Sequence, residues 1–337
     1  METMVAQSPA TARPPAAAAR LEVQVQAIRL LAEGILGFEF AAPDGAALPP
    51  FTAGSHIDVH LPGGLIRQYS LHNDPRETHR YCIAVLHEPQ GRGGSRAMHE
   101  QLRVGDRLSI SAPRNHFALA EGARQHVFLA GGIGITPILA MVRAAQTRGQ
   151  PFHLHYCTRA PERTAFLGEL SGLVESGQVT LHHDGGDPRR GLDLPGLLRE
   201  PATGTHVYAC GPGGFLDAVE RAAAHWPAAS RHSERFGPAP AAAGSAAAQP
   251  EAPFEVRLAH SGLSVTVPPG RSVVDVLQDH GVEVETSCRE GYCGTCMTRY
   301  LSGQPIHRDS VLDAEDREEF VMICCCRAGG EPLVLDL

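Results

Sequence analysis

Three cysteines in the run Cys288-Arg-Glu-Gly-Tyr-Cys293-Gly-Thr-Cys296 constrain the chain more tightly than any other feature. A C-x4-C-x2-C loop wraps three thiolates around one side of a centre, and a fourth thiolate from further along closes it. That is the ligand spacing of a plant-type [2Fe–2S] cluster. The small residues Gly291, Gly294 and Thr295 let the backbone approach the sulfides and donate N–H groups. The fourth ligand must come from Cys324-Cys325-Cys326, and the residues alone leave all three open. A zinc site is the competing use of such cysteines, but zinc sites usually show paired C-x2-C units and only one is present.

Nine cysteines behind an N-terminus without a charged region and apolar run argue for metal or redox chemistry, not structural disulfides. A reducing, cytoplasmic location is therefore expected. The chain contains no lysine, so all 29 basic residues are arginine and any Schiff-base or P-loop lysine chemistry is excluded. The net charge of -8 is unevenly spread: Glu251 to the C-terminus carries 15 acidic and 7 basic residues, and the remainder 22 of each. This pattern gives no footprint for nucleic acid or an anionic membrane. It suggests instead that the acidic end docks on an electropositive partner. The apolar segment Val127 to Val142 is broken by three glycines and a proline and reads as a buried strand, loop and helix.

Composition divides the chain. Residues 1–20 are Ala- and Pro-rich and read as a disordered tail, and 237–253 (GPAPAAAGSAAAQPEAP) as a linker. Between them, 21–118 carry short alternating strands (LEVQVQAIRL, HIDVHL, YCIAVLHE, RLSISAP) punctuated by turns, the pattern of an antiparallel β-barrel. From 119 to 236 the rhythm becomes strand then helix: HVFLA with PILAMVRAAQTRG, FHLHYCT with ERTAFLGELSGLVESG, THVYAC with FLDAVERAAAHW. Such alternation implies a parallel α/β sheet with crossover helices. Residues 254–337 open with FEVRLA and LSVTVP, then Ser272 with Asp275 three residues on caps a short helix ahead of the cysteine loop.

Two glycine clusters follow strands of the α/β part. Gly131-Gly132-Ile-Gly134-Ile-Thr136-Pro137 lets backbone amides approach a pyrophosphate, with Thr136 as expected N-cap and Pro137 as the first helical residue. Tyr208-Ala-Cys210-Gly211-Pro212-Gly-Gly ends a later strand, so both loops are expected at one site beyond the carboxyl edge of the sheet. In the barrel, Arg67-Gln68-Tyr69-Ser70 offers a phosphate-binding cation, an aromatic face and a hydroxyl, and Gly91-Arg92-Gly93-Gly94-Ser95 a phosphate nest. The eighteen histidines, among them His153, His155, His182 and His183, complete no metal-ligand set with carboxylates at helical spacing.

The order RQYS, GRGGS, GGIGITP, YACGP, SERF, linker, CREGYCGTC resembles the phthalate dioxygenase reductase family from about Leu21 to Leu337, with vanillate demethylase and terephthalate dioxygenase reductases similar. The resemblance implies a multidomain protein: an FMN-binding antiparallel β-barrel, an NAD-binding α/β domain and a β-grasp α+β ferredoxin domain. It implies that Arg67, Gln68, Tyr69, Ser70, Ala84 and Val85 hold FMN, with Gly93, Gly94 and Ser95 at its phosphate and Phe236 stacked near the ring. Thr136 and Cys210, Gly211 and Pro212 border the nicotinamide, Gly131, Gly132, Gly134 and Pro137 belong to the same cofactor-binding loop, and Tyr156, Thr158 and Arg159 lie near the adenosine part. Cys210, Phe236 and Thr136 are its catalytic candidates, and Cys324 its fourth iron ligand with Cys288, Cys293 and Cys296. Relatives have Cys-x-Ser-Arg where this chain has Cys324-Cys325-Cys326-Arg327. Asp184 after a strand could take a ribose 2′-hydroxyl and favour NADH, whereas Arg159 nearby argues for NADPH.

A nicotinamide gives up two electrons together, a [2Fe–2S] cluster takes one, and a flavin converts between the two. The expected route is NADH to FMN to cluster to a Rieske-type terminal oxygenase, by a monomer, with no general acid or base required. A cytochrome P450 acceptor and a redox-sensing role are the alternatives.

Overall fold

The computed structural model describes residues 20–237, 252–312 and 315–337. The expected tail and linker fall almost wholly outside the described residues.

The first strand, β1 (Leu21–Ala32), turns at Gly34, whose φ is 73°, into β2 (Ile35–Ala41). With β3 (His56–Leu61), β4 (Leu65–Ser70), β5 (Tyr81–Leu86) and β6 (Arg107–Ile110) they form an antiparallel sheet in the order β4-β3-β6-β1-β2-β5. A bridge between Leu71 and Ile83 joins the two ends. Period-two alternation sends Val23, Val25, Phe38, Phe40, Ile57 and Val59 inward, and helix α1 (Gly94–Glu100) adds Ala97 and Met98 to the same core.

A five-stranded, wholly parallel sheet follows: β7 (Gln125–Gly131), β8 (Phe152–Thr158), β9 (Val179–His183), β10 (Thr205–Cys210) and β11 (Arg231–Glu234), in the order β11-β10-β7-β8-β9. The crossovers carry α2 (Ile135–Thr147), α3 (Leu167–Glu175), α4 (Leu194–Leu197) and α5 (Gly213–Ala222). The chain winds outward from β7 to β9, then returns to β10. The order therefore reverses between β7 and β10, and a crevice opens at their carboxyl ends. Helix α2 is buried almost all round because it lies between this sheet and the barrel, sharing a core with Ile35, Ala53, Ala84 and Phe117. That placement explains the apolar run from Ile135 to Val142 without a membrane. No helix among the described residues is long and apolar enough to cross one.

The last part is a mixed sheet that grasps one helix. Strands β12 (Phe254–Leu258), β13 (Ser264–Val267), β14 (Met297–Ser302), β16 (Phe320–Met322) and β18 (Leu333–Leu335) pair in the order β13-β12-β18-β14-β16, beside a small ladder of β15 (Pro305–Ile306) and β17 (Arg327–Ala328). Helix α6 (Val273–Asp279) begins in the expected capping box, with the Ser272 and Asp275 side chains each bonded to the other's backbone N–H. It buries Val273, Val274, Val276 and Leu277. A short α7 (Asp316–Glu319) precedes β16.

Candidate electron-transfer site

The four candidate iron ligands are buried, at 5% exposure or less, and lie as two pairs. The backbone N–H of Cys288 points at the Cys293 sulfur (3.4 Å), and the Cys296 and Cys324 side chains are neighbours. As neutral thiols, Cys293 and Cys296 sit far above their usual range, first because each shares a bond with its pair partner and then through burial. Bound iron reverses that preference, since the ligand form is the thiolate. Among the described residues no three His, Cys, Asp or Glu side chains converge on one metal ion. The grouping of the four cysteines into two neighbouring pairs suits a binuclear cluster, which takes two protein ligands per iron.

The neighbouring thiols are used differently. Cys326 points into the core, and burial pushes its thiol up to about 12. Cys325 is half-buried, and its sulfur lies so close to Gly291 that a Cβ there would sit 2.5 Å away. Arg327, the arginine after the cysteine run, donates to the carbonyls of Pro268, Arg271 and Ala252 and lies 4.6 Å over the Phe254 ring.

The barrel motifs converge on one face. Arg67 lies across Gly94, where a Cβ would come within 2.4 Å of its side chain, and its guanidinium donates to the Arg92 carbonyl at 2.6 Å. Gly93, at φ 81°, turns the chain into α1. The sequence suggests only a nest here, whereas the structure continues it into a helix. Ser95 accepts from the Glu88 N–H at 3.0 Å. Tyr69 is largely buried, and burial raises its phenol above the ordinary range, while Phe236 keeps 40% of its surface exposed. Ala84 and Val85 are both buried: Ala84 packs toward α2 and Val85 into the barrel, so their side chains are committed to packing.

At the switch point the two glycine loops touch. A Cβ on Gly134 would lie 2.2 Å from the Cys210 carbonyl oxygen, and one on Gly131 would meet Pro212 at 3.0 Å and Phe215 at 3.1 Å. Thr136 is not the N-cap. A 3-10 turn over Gly132–Gly134 starts the helix earlier, Gly134 takes the cap position, and the buried Thr136 hydroxyl donates to the Ile133 carbonyl at 3.1 Å. Pro137 consequently sits third in α2 rather than first. Cys210 is wholly buried, and its thiol is raised first by burial and then by the Glu234 charge.

Glu234 itself carries no role in the sequence reading. Burial pushes its carboxyl up to about 8, opposed by the Ser70 hydroxyl, which donates to it at 3.4 Å. Burial thus favours its neutral form, and it joins Ser70 of the barrel to Cys210 of the α/β sheet. The only sequence signal was its neighbour Phe236 in the SERF run.

At the far edge of that sheet, Thr158 ends β8 and bonds Thr164 (2.7 Å) and His183 (2.9 Å). The Gly185 N–H donates to the Arg159 carbonyl at 2.9 Å, and Asp184 accepts from Gly186 at 2.7 Å, so Arg159 and Asp184 are brought together at one loop pair. Tyr156 is not among them at the surface. It is fully buried in the core of the sheet and has no exposed face for a ligand.

The cysteine loop docks on the barrel face just described. Gln68 donates to the Cys293 carbonyl at 3.4 Å and Arg92 to the Cys288 carbonyl at 3.0 Å. Arg114, paired with the buried Asp58, donates to the Thr295 hydroxyl at 3.2 Å. His116 lies against Gly294, where a Cβ would stand 2.8 Å from its ring nitrogen. These contacts join residues more than 175 positions apart, beyond the reach of any local sequence pattern.

A family model described as a 2Fe-2S iron-sulfur cluster binding domain matches residues 256–329. One described as the N-terminal domain of dimethylamine monooxygenase subunit DmmA-like proteins matches residues 110–231. The chain is 46% identical over 321 residues to the vanillate O-demethylase oxidoreductase of Pseudomonas sp. strain HR199, covering 94% of this chain and all of the other. The solved structure of phthalate dioxygenase reductase, described as modular for electron transfer from pyridine nucleotides to [2Fe–2S], is 41% identical with a TM-score of 0.71, covering 94% of this chain and 98% of that one. An intact type IV self-sufficient cytochrome P450 monooxygenase matches at 38% identity and a TM-score of 0.85, across 94% of this chain but 41% of that one.

Proposed function

This chain belongs to the family of the phthalate dioxygenase reductases, and from that membership we propose how its residues divide the work of an NADH-dependent reductase. It is the reductase component of a two-component Rieske-type oxygenase or demethylase, using NADH, FMN and a [2Fe–2S] cluster. The bound flavin supplies the conversion from an electron pair to single electrons. The observation that carries the reading is the docking of the Cys288 and Cys293 carbonyls onto Arg92 and Gln68, beside the RQYS and GRGGS motifs.

Within it, Arg67 and the Gly93-Gly94-Ser95 turn hold the FMN phosphate, and Tyr69, Ser70 and Phe236 flank the ring. The cradle over Gly94 and the exposed ring of Phe236 support those roles. The nicotinamide end lies at the touching loops of Gly131 to Pro137 and Cys210 to Pro212, and the adenosine end at Thr158, Arg159 and Asp184. Asp184 lies just past the carboxyl end of β9, where an acidic side chain favours NADH. Burial of Glu234 favours its neutral form, which limits negative charge at the crevice where hydride moves. Cys288, Cys293, Cys296 and Cys324 hold the cluster as two pairs, within domains at 21–118, 119–236 and 254–337.

The acidic C-terminal part makes the docking face, and its partner oxygenase is electropositive there; the protein works as a cytoplasmic monomer. A haem-containing acceptor is a second reading, supported by the likeness to the P450 monooxygenase. Purified protein should release FMN on denaturation and reduce cytochrome c with NADH; FAD in the supernatant would overturn the flavin assignment.

A further inference from the structure

Arg92 occupies an unusual position between two loops. Its backbone carbonyl accepts from Arg67, the cation assigned to the flavin phosphate, at 2.6 Å. Its guanidinium crosses to the cysteine loop and makes three contacts there: the Cys288 carbonyl at 3.0 Å, the Glu290 carboxylate at 2.9 Å and the Tyr292 hydroxyl at 3.2 Å. A planar, five-donor group suits that fan of acceptors, and a lysine would not span it. One residue thus ties the flavin-holding turn to the loop between two cluster ligands. Elsewhere across this boundary Gln68 bonds Cys293 at 3.4 Å, Arg114 and Asp58 bond Thr295 at 3.2 and 3.5 Å, and His116 packs on Gly294, so no other residue makes three contacts among those described.

We propose that Arg92 is a positioning residue for internal electron passage, which latches the cluster loop to the flavin face of the barrel through its ion pair with Glu290. The inference rests on the electron route argued above. Each passage removes one electron from the reduced flavin and turns one ferric ion of the cluster ferrous, with NADH supplying the electrons in pairs. The rate of such a step falls steeply with separation, so the fraction of time the loop is latched scales the observed rate. Boundaries between domains of one chain are usually polar and mobile, so that fraction responds to single contacts. The Arg92 and Glu290 side chains are 49% and 31% exposed, so the latch is also weakened by salt.

The test uses the loaded, full-length chain and works from the Glu290 side, which belongs to neither the iron ligands nor the flavin site. Anaerobic mixing with NADH separates bleaching of the flavin from reduction of the cluster. Glu290→Gln should slow the cluster phase about threefold and Glu290→Arg about tenfold, with the flavin phase unchanged. Adding Arg92→Glu to Glu290→Arg should restore the cluster phase to within about threefold of the starting chain. Hydrogen–deuterium exchange across 288–296 gives a readout independent of turnover: protection should fall in Glu290→Arg and return in the swap. Iron content and the cluster potential, measured across the set, separate the latch from loss of the cluster or a changed driving force. An unslowed cluster phase with unchanged exchange in Glu290→Arg would overturn the latch, as would a swap that restores neither. Absence of any flavin phase in the unmodified chain would instead overturn the electron route itself.

Discussion

Replacing Cys293 by serine should abolish NADH-driven reduction of cytochrome c, by about 100-fold or more, and leave ferricyanide reduction within about twofold. Cys293 is 2% exposed and sits in the pair with Cys288, so its loss strips one iron of half its protein ligands. Metal binding in such a loop is also folding energy, and the damage should spread through the C-terminal core. It should stop there. The core around Val273, Leu277 and Leu335 shares no residue with the cores of the barrel or the parallel sheet. Ferricyanide draws electrons from the flavin before the cluster, so it reports those two parts alone. Equal loss of both activities would mean that electrons do not pass in the stated order.

A methyl group on Gly134 should have an effect of similar size at the other end of the route. The added Cβ would stand 2.2 Å from the Cys210 carbonyl oxygen and 2.6 Å from the Gly211 nitrogen. Both are backbone atoms, so no side chain can swing aside. Overpacking of a side-chain core costs about 1–3 kcal/mol, and a backbone collision in a fixed crevice belongs at or above the top of that range. Gly134→Ala should therefore force the two nucleotide loops apart and cut NADH-driven turnover about 100-fold. Chemical reduction by dithionite bypasses the nucleotide, so it should still bleach the flavin and cluster of Gly134→Ala in full. NADH turnover within twofold of the parent would show that the loop contact does not shape the binding crevice.

The sequence was legible where chemistry is written locally. The cysteine spacing, the Ser272 capping box and the strand–helix alternation each depend on residues within a few positions; the structure returns the last two, and the 2Fe-2S domain match covers the first. The barrel was recognisable from its alternating strands, though β2 passed unsignalled because ILGFEFA is apolar without a clean period of two. Thr136 shows a different kind of limit. A threonine before a proline is a good helix start, but Gly132–Gly134 already turn and move the cap upstream. Tyr156 reads as a ligand contact and proves to be core, since strand alternation alone does not say which face of a two-sided sheet holds the crevice. Least legible were Glu234, Arg92, Arg114 and Asp58. Their importance lies in partners more than 150 positions away, and no single-sequence pattern encodes such a meeting.

The account's central claim is that one chain takes electrons in pairs at the α/β crevice and releases them singly at the cysteine loop. Anaerobic titration of the loaded protein with NADH tests it most directly. A flavin that holds two electrons and a cluster that holds one should together consume about 1.5 equivalents of NADH, bleaching the flavin and cluster absorbance in the same titration. An endpoint near one equivalent, with the cluster still oxidised, would contradict the account.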